Sequence, residues 1–360
     1  MIRFSDFMNE DLKRSKKSGE NRDPESRPPS GDPGSSGMGS IEDPHPDFAR
    51  NILGKSPQAR ARIDEHYHET GVFVKSLFQG VERGGELDGA GITGRIDFLI
   101  EEVAGWREAW LAPIYRYDPE DYLYTHSLNV TILSLLAGMW LGYNKSKLKI
   151  LATGALLSDI GIPRFMDTCL LPRRLTQSEG NAIKSHSMMA AEIMRQAGLD
   201  EQAVQLVLEH HERFDRKGYP HGIGANAIHE SAQIVGVMDT YDALIHTRPY
   251  RKRFMPEEAI KEILAEREAY SPRVVKLVLE RIGLYPPGSW VMLSTGEIAR
   301  IAEVNKGYLF RPTVSVIFNR EREMLSHSRT LDLSKQTIIT IERSLDEAEF
   351  KLSTEQGYTA

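Results

Sequence analysis

The chain has one cysteine, Cys169, among 360 residues. A lone thiol excludes an internal disulfide and fits a reducing compartment. Long apolar runs are missing as well. The best stretch, Val130 to Tyr143, is too short for a bilayer and carries Thr131, Ser134 and Gly138. The opening Met1-Ile2-Arg3-Phe4 leads into charge rather than an apolar segment, so the reading is a cytoplasmic protein with no signal peptide and no membrane partner. Positive charge is not in excess. A formal net charge of -6 argues against broad nucleic-acid binding through phosphate neutralisation, and leaves room for a small anionic ligand at a local positive site.

The pattern along the chain divides it. Residues 1–45 are poor in apolar side chains and hold the run from Ser26 to Gly37, rich in Pro, Gly and Ser, which reads as a disordered tail. Residues 46–120 read as an N-terminal helical region, in which Ile96, Leu99, Ile100, Val103 and Trp106 predict a one-faced helix over Thr93 to Trp110. Residues 121–284 are helical and better punctuated. Thr176-Gln177-Ser178-Glu179 is a capping box whose helix is expected to run through His186 to a stop near Gly198. Ser271-Pro272 opens a helix that ends at Gly283. After Tyr285-Pro286-Pro287-Gly288 the period changes. Strands are expected at Ile298 to Val304, Thr313 to Phe318 and Thr337 to Ile341, making a small β module over 285–345 with a tail over 346–360. The fold class expected is mainly α, with a small C-terminal β module.

The most informative stretch is His210-His211-Glu212-Arg213-Phe214-Asp215, which continues to Gly218-Tyr219-Pro220. Imidazole nitrogens and carboxylate oxygens are ligands that borderline divalent metals accept. His126, Asp159, His186 and Asp239 lie on or beside other helical segments. Each has a plainer reading alone: a helix-start residue for His126, a surface acid at a helix end for Asp159, a solvent-facing residue for His186, and helix C-terminal imidazoles for His210 and His211. Asp239 and Asp242 are three apart on one helix face, so one could be a ligand and the other a structural partner for Arg248. Arg248 and Arg251 read alone are solvated charges. Taken together, the ligand candidates demand six unrelated coincidences.

Over roughly residues 118–270 the chain resembles the HD-GYP family, a branch of the HD superfamily of metal-dependent phosphohydrolases. The resemblance is carried by Tyr124-Thr125-His126-Ser127-Leu128-Asn129-Val130, Leu156-Leu157-Ser158-Asp159-Ile160-Gly161, His186, the His210 to Pro220 run, Val237 to Leu244, and Arg248-Pro249-Tyr250-Arg251, in matching order and spacing. It implies an HD-type helical domain that hydrolyses cyclic di-GMP, a bacterial second messenger, with divalent metal, iron or manganese, as cofactor. It implies one ion held by His126, Asp159 and Asp239, and a second by Asp159, His186, His210 and His211, with Asp159 bridging at the catalytic centre. Arg248 and Arg251 resemble its phosphate contacts. Gly218-Tyr219-Pro220 resembles its loop for substrate and signalling-protein contacts, with Tyr219 at the substrate.

Departures from the family pattern fall at the centre of the chemistry. Ser158 stands where the family has histidine, and Ile162 where it has lysine. Tyr122 replaces the glutamate of three-metal members, Arg216 a loop glycine, and Ala190 a glycine after the His186 motif. The expectation is one or two ions and weak or absent turnover. The alternatives are a fully active phosphodiesterase or a non-enzymatic signalling module.

Overall fold

The computed structural model describes residues 57–115, 121–169, 171, 173, 175–247, 252–305 and 307–346. The tail expected over 1–45, most of the one expected over 346–360, and both Arg248 and Arg251 lie outside the described residues. The architecture is mainly helical with a small C-terminal antiparallel sheet.

Two helices lead, α1 (Pro57–Glu82) and α2 (Gly89–Trp106). Asp88 caps α2 by accepting a hydrogen bond from Gly91 N at 2.9 Å, and Ile92, Ile96, Leu99, Ile100 and Val103 form its buried stripe. The helix expected to reach Trp110 ends earlier. Residues Arg107–Trp110 tighten into a 3-10 turn that buries Trp110 fully and leaves Trp106 38% exposed, so Trp110, not Trp106, is the core aromatic.

α3 (Tyr122–Trp140) is apolar on nearly every face because it runs through the centre of the molecule. α4 (Lys145–Leu157) packs along it after an Asn144 cap. α5 (Gln177–Lys184) starts on the expected capping box, with Thr176 and Glu179 bonding reciprocally. The single helix predicted from there to Gly198 is two. Ser185 N bonds to Ala182 O and its hydroxyl donates to the same carbonyl at 2.6 Å, closing α5 before α6 (His186–Gln196) begins. That break sets His186 at the start of a new helix. α7 (Glu201–Glu209), α8 (Glu230–Ile245), α9 (Pro256–Ala265) and α10 (Pro272–Arg281) complete the helical body. One apolar cluster runs from Ile63 to Leu284, so α1 and α2 share a core with the helices that follow.

The sheet has the order β4-β3-β2-β1-β5, all antiparallel: β1 (Trp290–Leu293), β2 (Ile298–Glu303), β3 (Thr313–Phe318), β4 (Met324–Asp332) and β5 (Ile341–Leu345). It has its own small core around Val291, Leu293, Ile301, Val314 and Val316. β2 and β3 fall where the alternation put them. The strand predicted over Thr337 to Ile341 begins only at Ile341. β4 is an exposed edge whose Ser, His, Arg and Thr carry no apolar alternation, so the period-two signal is absent there. Arg253, just before α9, binds Asp346, just after β5, through two hydrogen bonds of 2.9 and 2.6 Å.

Candidate metal centre

Five segments converge on one buried cluster. α3 supplies His126; the turn after α4 supplies Asp159; the start of α6 supplies His186; the end of α7 supplies His210 and His211; α8 supplies Asp239. The ligand atoms of Asp159, His186, His210 and His211 all lie within 4.8 Å of one another, as do those of His126, Asp159 and Asp239. Asp159 belongs to both groups. Its Oδ1 is 3.4 Å from His186 Nε2 and its Oδ2 is 3.5 Å from His126 Nε2. His126 Nε2 also stands 2.9 Å from Asp239 Oδ1.

Two glycines let the segments come this close. A Cβ on Gly161 would lie 2.5 Å from His186 O, and one on Gly236 would lie 2.5 Å from His210 O. Backbone therefore touches backbone where the Asp159 turn meets α6 and where α8 meets the end of α7.

The imidazoles are held from behind. His186 Nδ1 is 2.8 Å from Ile183 O and His210 Nδ1 is 2.6 Å from Val207 O. A carbonyl only accepts, so each Nδ1 carries the proton and each Nε2 lone pair turns inward. His210 Nε2 is buried and has no hydrogen-bond partner among the described residues. Burial lowers the pKa of both rings to about 4, and His211 is pushed well below its ordinary value by burial and the adjoining rings. Three imidazoles thus stay neutral at pH 7 around a carboxylate. That donor set suits a borderline divalent cation.

The other half of the cluster is acidic. His126 Nδ1 donates to Asp242 Oδ2 at 2.7 Å, and Asp242 is fully buried. His246 Nδ1 lies 3.3 Å from Asp242 Oδ1, while its Nε2 donates to Ile114 O at 3.0 Å. Burial works against Asp242, but His246 and His126 overcome it and hold the carboxyl at about 2. Burial likewise opposes a charged His126, yet its bonds to Asp239 and Asp242 win and raise its pKa well above the ordinary value. Asp159 has no such bond among the described residues, and burial raises its pKa. His126 Nε2 faces Asp159 and Asp239 together, where a proton and a cation compete for one lone pair.

The loop after His211 closes one side. Tyr219 N bonds to His211 O at 3.2 Å and its ring stacks on His211 with centroids 4.7 Å apart. Glu212, itself buried, accepts from His221 N at 2.7 Å and Gly222 N at 3.0 Å. Arg216, at the position read as a loop glycine, has φ of 64°, a conformation that favours glycine.

The structure brings together His126, Asp159, His186, His210, His211, Asp239 and Tyr219; Arg248 and Arg251 lie outside the described residues. Among the departures, Ser158 Oγ donates to Ala155 O at 3.0 Å, back into its own helix. Ile162 and Ala190 are core residues, and the Tyr122 ring stacks on His126 at 5.4 Å. Sequence reasoning left open which of Asp239 and Asp242 is a ligand and which a partner for Arg248; Asp242 serves His126 and His246, and Arg248 lies outside the described residues. It also passed over Glu209, which accepts from His229 N at 2.7 Å and so ties the end of α7 to the start of α8. The one available signal for Glu209 was its place directly before His210-His211.

Residues 120–274 match the HD domain family. The chain is 27% identical over 291 residues to the cyclic di-GMP phosphodiesterase PA4108 of Pseudomonas aeruginosa, covering 78% of this chain and 70% of that protein. It is 34% identical over 145 residues to the cyclic di-GMP phosphodiesterase response regulator RpfG of Xanthomonas campestris, covering 39% of this chain and 38% of that one. Residues 120–274 are an HD domain, and these matches support the HD-GYP family. Among solved structures the HDG"Y"P protein Bd1817 of Bdellovibrio bacteriovorus shares 18% identity at a TM-score of 0.49, over 64% of this chain and 75% of that one, a likeness too loose to bear on the site. Residues 290–353 match the KOW domain associated with HD domains, which assigns the β module that the sequence left unplaced. No described helix is long and apolar enough to cross a membrane.

Proposed function

We propose that residues 121–284 form a metal-dependent phosphohydrolase domain that acts on cyclic di-GMP, with turnover reduced by Ser158 and Ile162. The observation that carries this reading is Asp159, a buried carboxylate shared by two groups of potential ligands. The relatives named as cyclic di-GMP phosphodiesterases supply the substrate.

Asp159, His186, His210 and His211 would hold one ion, and His126, Asp159 and Asp239 a second. A divalent cation bound there, iron or manganese, supplies Lewis-acid charge to a phosphodiester and makes water a better nucleophile near neutral pH. The chain's own residues do the rest. Ile183 O and Val207 O fix the tautomers of His186 and His210, so both rings are ready ligands with no proton to shed. Asp242 aims His126. The Tyr219 ring walls the site beside His211, and burial keeps its phenol protonated. We assign Tyr219, Arg248 and Arg251 to substrate, and the Gly218-Tyr219-Pro220 loop also to a signalling protein.

A second reading, cyclic di-GMP binding without hydrolysis, is favoured by one observation: the Ser158 hydroxyl turns to Ala155 O and adds nothing to the His126 group. Metal content of protein purified without oxygen, with cyclic di-GMP turnover on the same sample, separates the two. Metal with slow hydrolysis is the expected result. Metal and tight nucleotide binding with no product establishes the second reading, and a metal-free protein that ignores the nucleotide overturns both.

A further inference from the structure

Lys184 closes α5 two residues before His186. Its ammonium lies 5.5 Å from the centroid of the Tyr219 ring, the ring that stacks on His211. The side chain is half-buried and has no carboxylate partner among the described residues. Contact with a phenol face is a weak attraction and leaves the positive charge without a counter-ion among the described residues.

Among the described residues, Arg213 and Lys217 are committed elsewhere. Arg213 Nη1 donates to His210 O and Glu212 O, both at 3.0 Å, and its guanidinium sits 5.1 Å from the Tyr270 ring. Lys217 is 3.3 Å from Asp215. Ile162, three residues after Asp159, is buried and apolar and brings no charge.

We propose that Lys184 is the phosphate contact on the Tyr219 side of this site. It is a compact ammonium on a flexible four-carbon stem, with three donors to give. From the Tyr219 ring, its flexible stem would carry the ammonium to an anion bound beside Tyr219 and His211. The ring then acts as its resting place, keeping the charge poised without a competing acid. The ligand chemistry is a phosphate or phosphodiester oxygen. This inference deepens the phosphohydrolase reading and rests on it for the identity of the diester.

The test uses the metal-loaded full chain and two probes, inorganic phosphate and cyclic di-GMP, with calorimetric Kd values for wild type, Lys184→Gln and Lys184→Arg. Lys184→Gln should weaken both probes by about tenfold, since hydrogen bonds to charged groups carry about 1.5–3 kcal/mol. Lys184→Arg should recover most of that, and metal content and melting temperature should not move. Added salt should weaken wild type more than Lys184→Gln. Equal Kd values in wild type and Lys184→Gln overturn the assignment, and so does a Gln variant that loses metal or stability in step with affinity. If wild type ignores cyclic di-GMP but binds phosphate through Lys184, the cyclic di-GMP reading falls and Lys184 stands. If wild type binds neither probe, both fall.

Discussion

Asp242 accepts the Nδ1 proton of His126 at 2.7 Å while its own side chain is wholly removed from solvent. The same carboxylate lies 3.3 Å from His246 Nδ1, and His246 reaches Ile114 O just before α3. The orientation of one candidate ligand is thus set by a chain of buried groups outside the cluster.

Asp242→Asn should therefore weaken metal at the His126 group by about 10–100-fold, the usual effect of losing a carboxylate behind a metal-bound imidazole. The His186, His210 and His211 group should keep its ion. Metal titration followed by elemental analysis reads this directly, and an unchanged titration would show that Asp242 only packs.

His210→Ala with His211→Ala should remove the ion from the four-residue group. Both rings are buried, and the His210 Nε2 lone pair meets no donor among the described residues. Elemental analysis of both proteins checks it, and equal metal in the two would sink the ligand assignment.

Arg216→Gly should stabilise the fold. A non-glycine residue at φ of 64° is strained, and relief of about 1–2 kcal/mol exceeds the entropy that glycine adds to the unfolded chain, about 0.5–1 kcal/mol. A rise in the urea midpoint with unchanged slope is expected. A fall would mean that the Arg216 side chain, packed over Gly224, contributes more than its backbone loses.

Ser158→His and Ile162→Lys should behave differently from each other. The first offers the His126 group another imidazole and should raise both metal occupancy and cyclic di-GMP turnover. The second puts an ammonium where a core residue packs and should lower stability by about 2 kcal/mol or more, even if it adds a phosphate contact. The rates of the pair should combine more than additively, because a held phosphate matters only when an attacking group is ready. Hydrolysis measured in iron and in manganese for all four proteins decides. A wild type as fast as the double variant would show that neither position limits the reaction.

The cluster was legible in the sequence because its residue types are costly to bury without a use: His210-His211, Asp159 and Asp239 each called for a cation or a partner. The helices were legible from capping chemistry and the apolar stripe of α2. What stayed hidden was tertiary. Nothing in one dimension says that Asp242 faces His126 across 116 residues. The break at Ser185 comes from a hydroxyl and an amide choosing the same carbonyl, which a good helix former on either side disguises. β4 is an edge strand made by pairing with β3, and its polar sequence carries no alternation to read.

Asp159 gives one oxygen toward His186 and the other toward His126. Two ions held there would share a carboxylate and would not be independent: whatever factor an ion in one group applies to affinity at the other, it would receive back unchanged. A foreign cation lodged at the histidine-rich group would therefore alter the acidic group without touching it. The selectivity of such a centre would be a property of the pair.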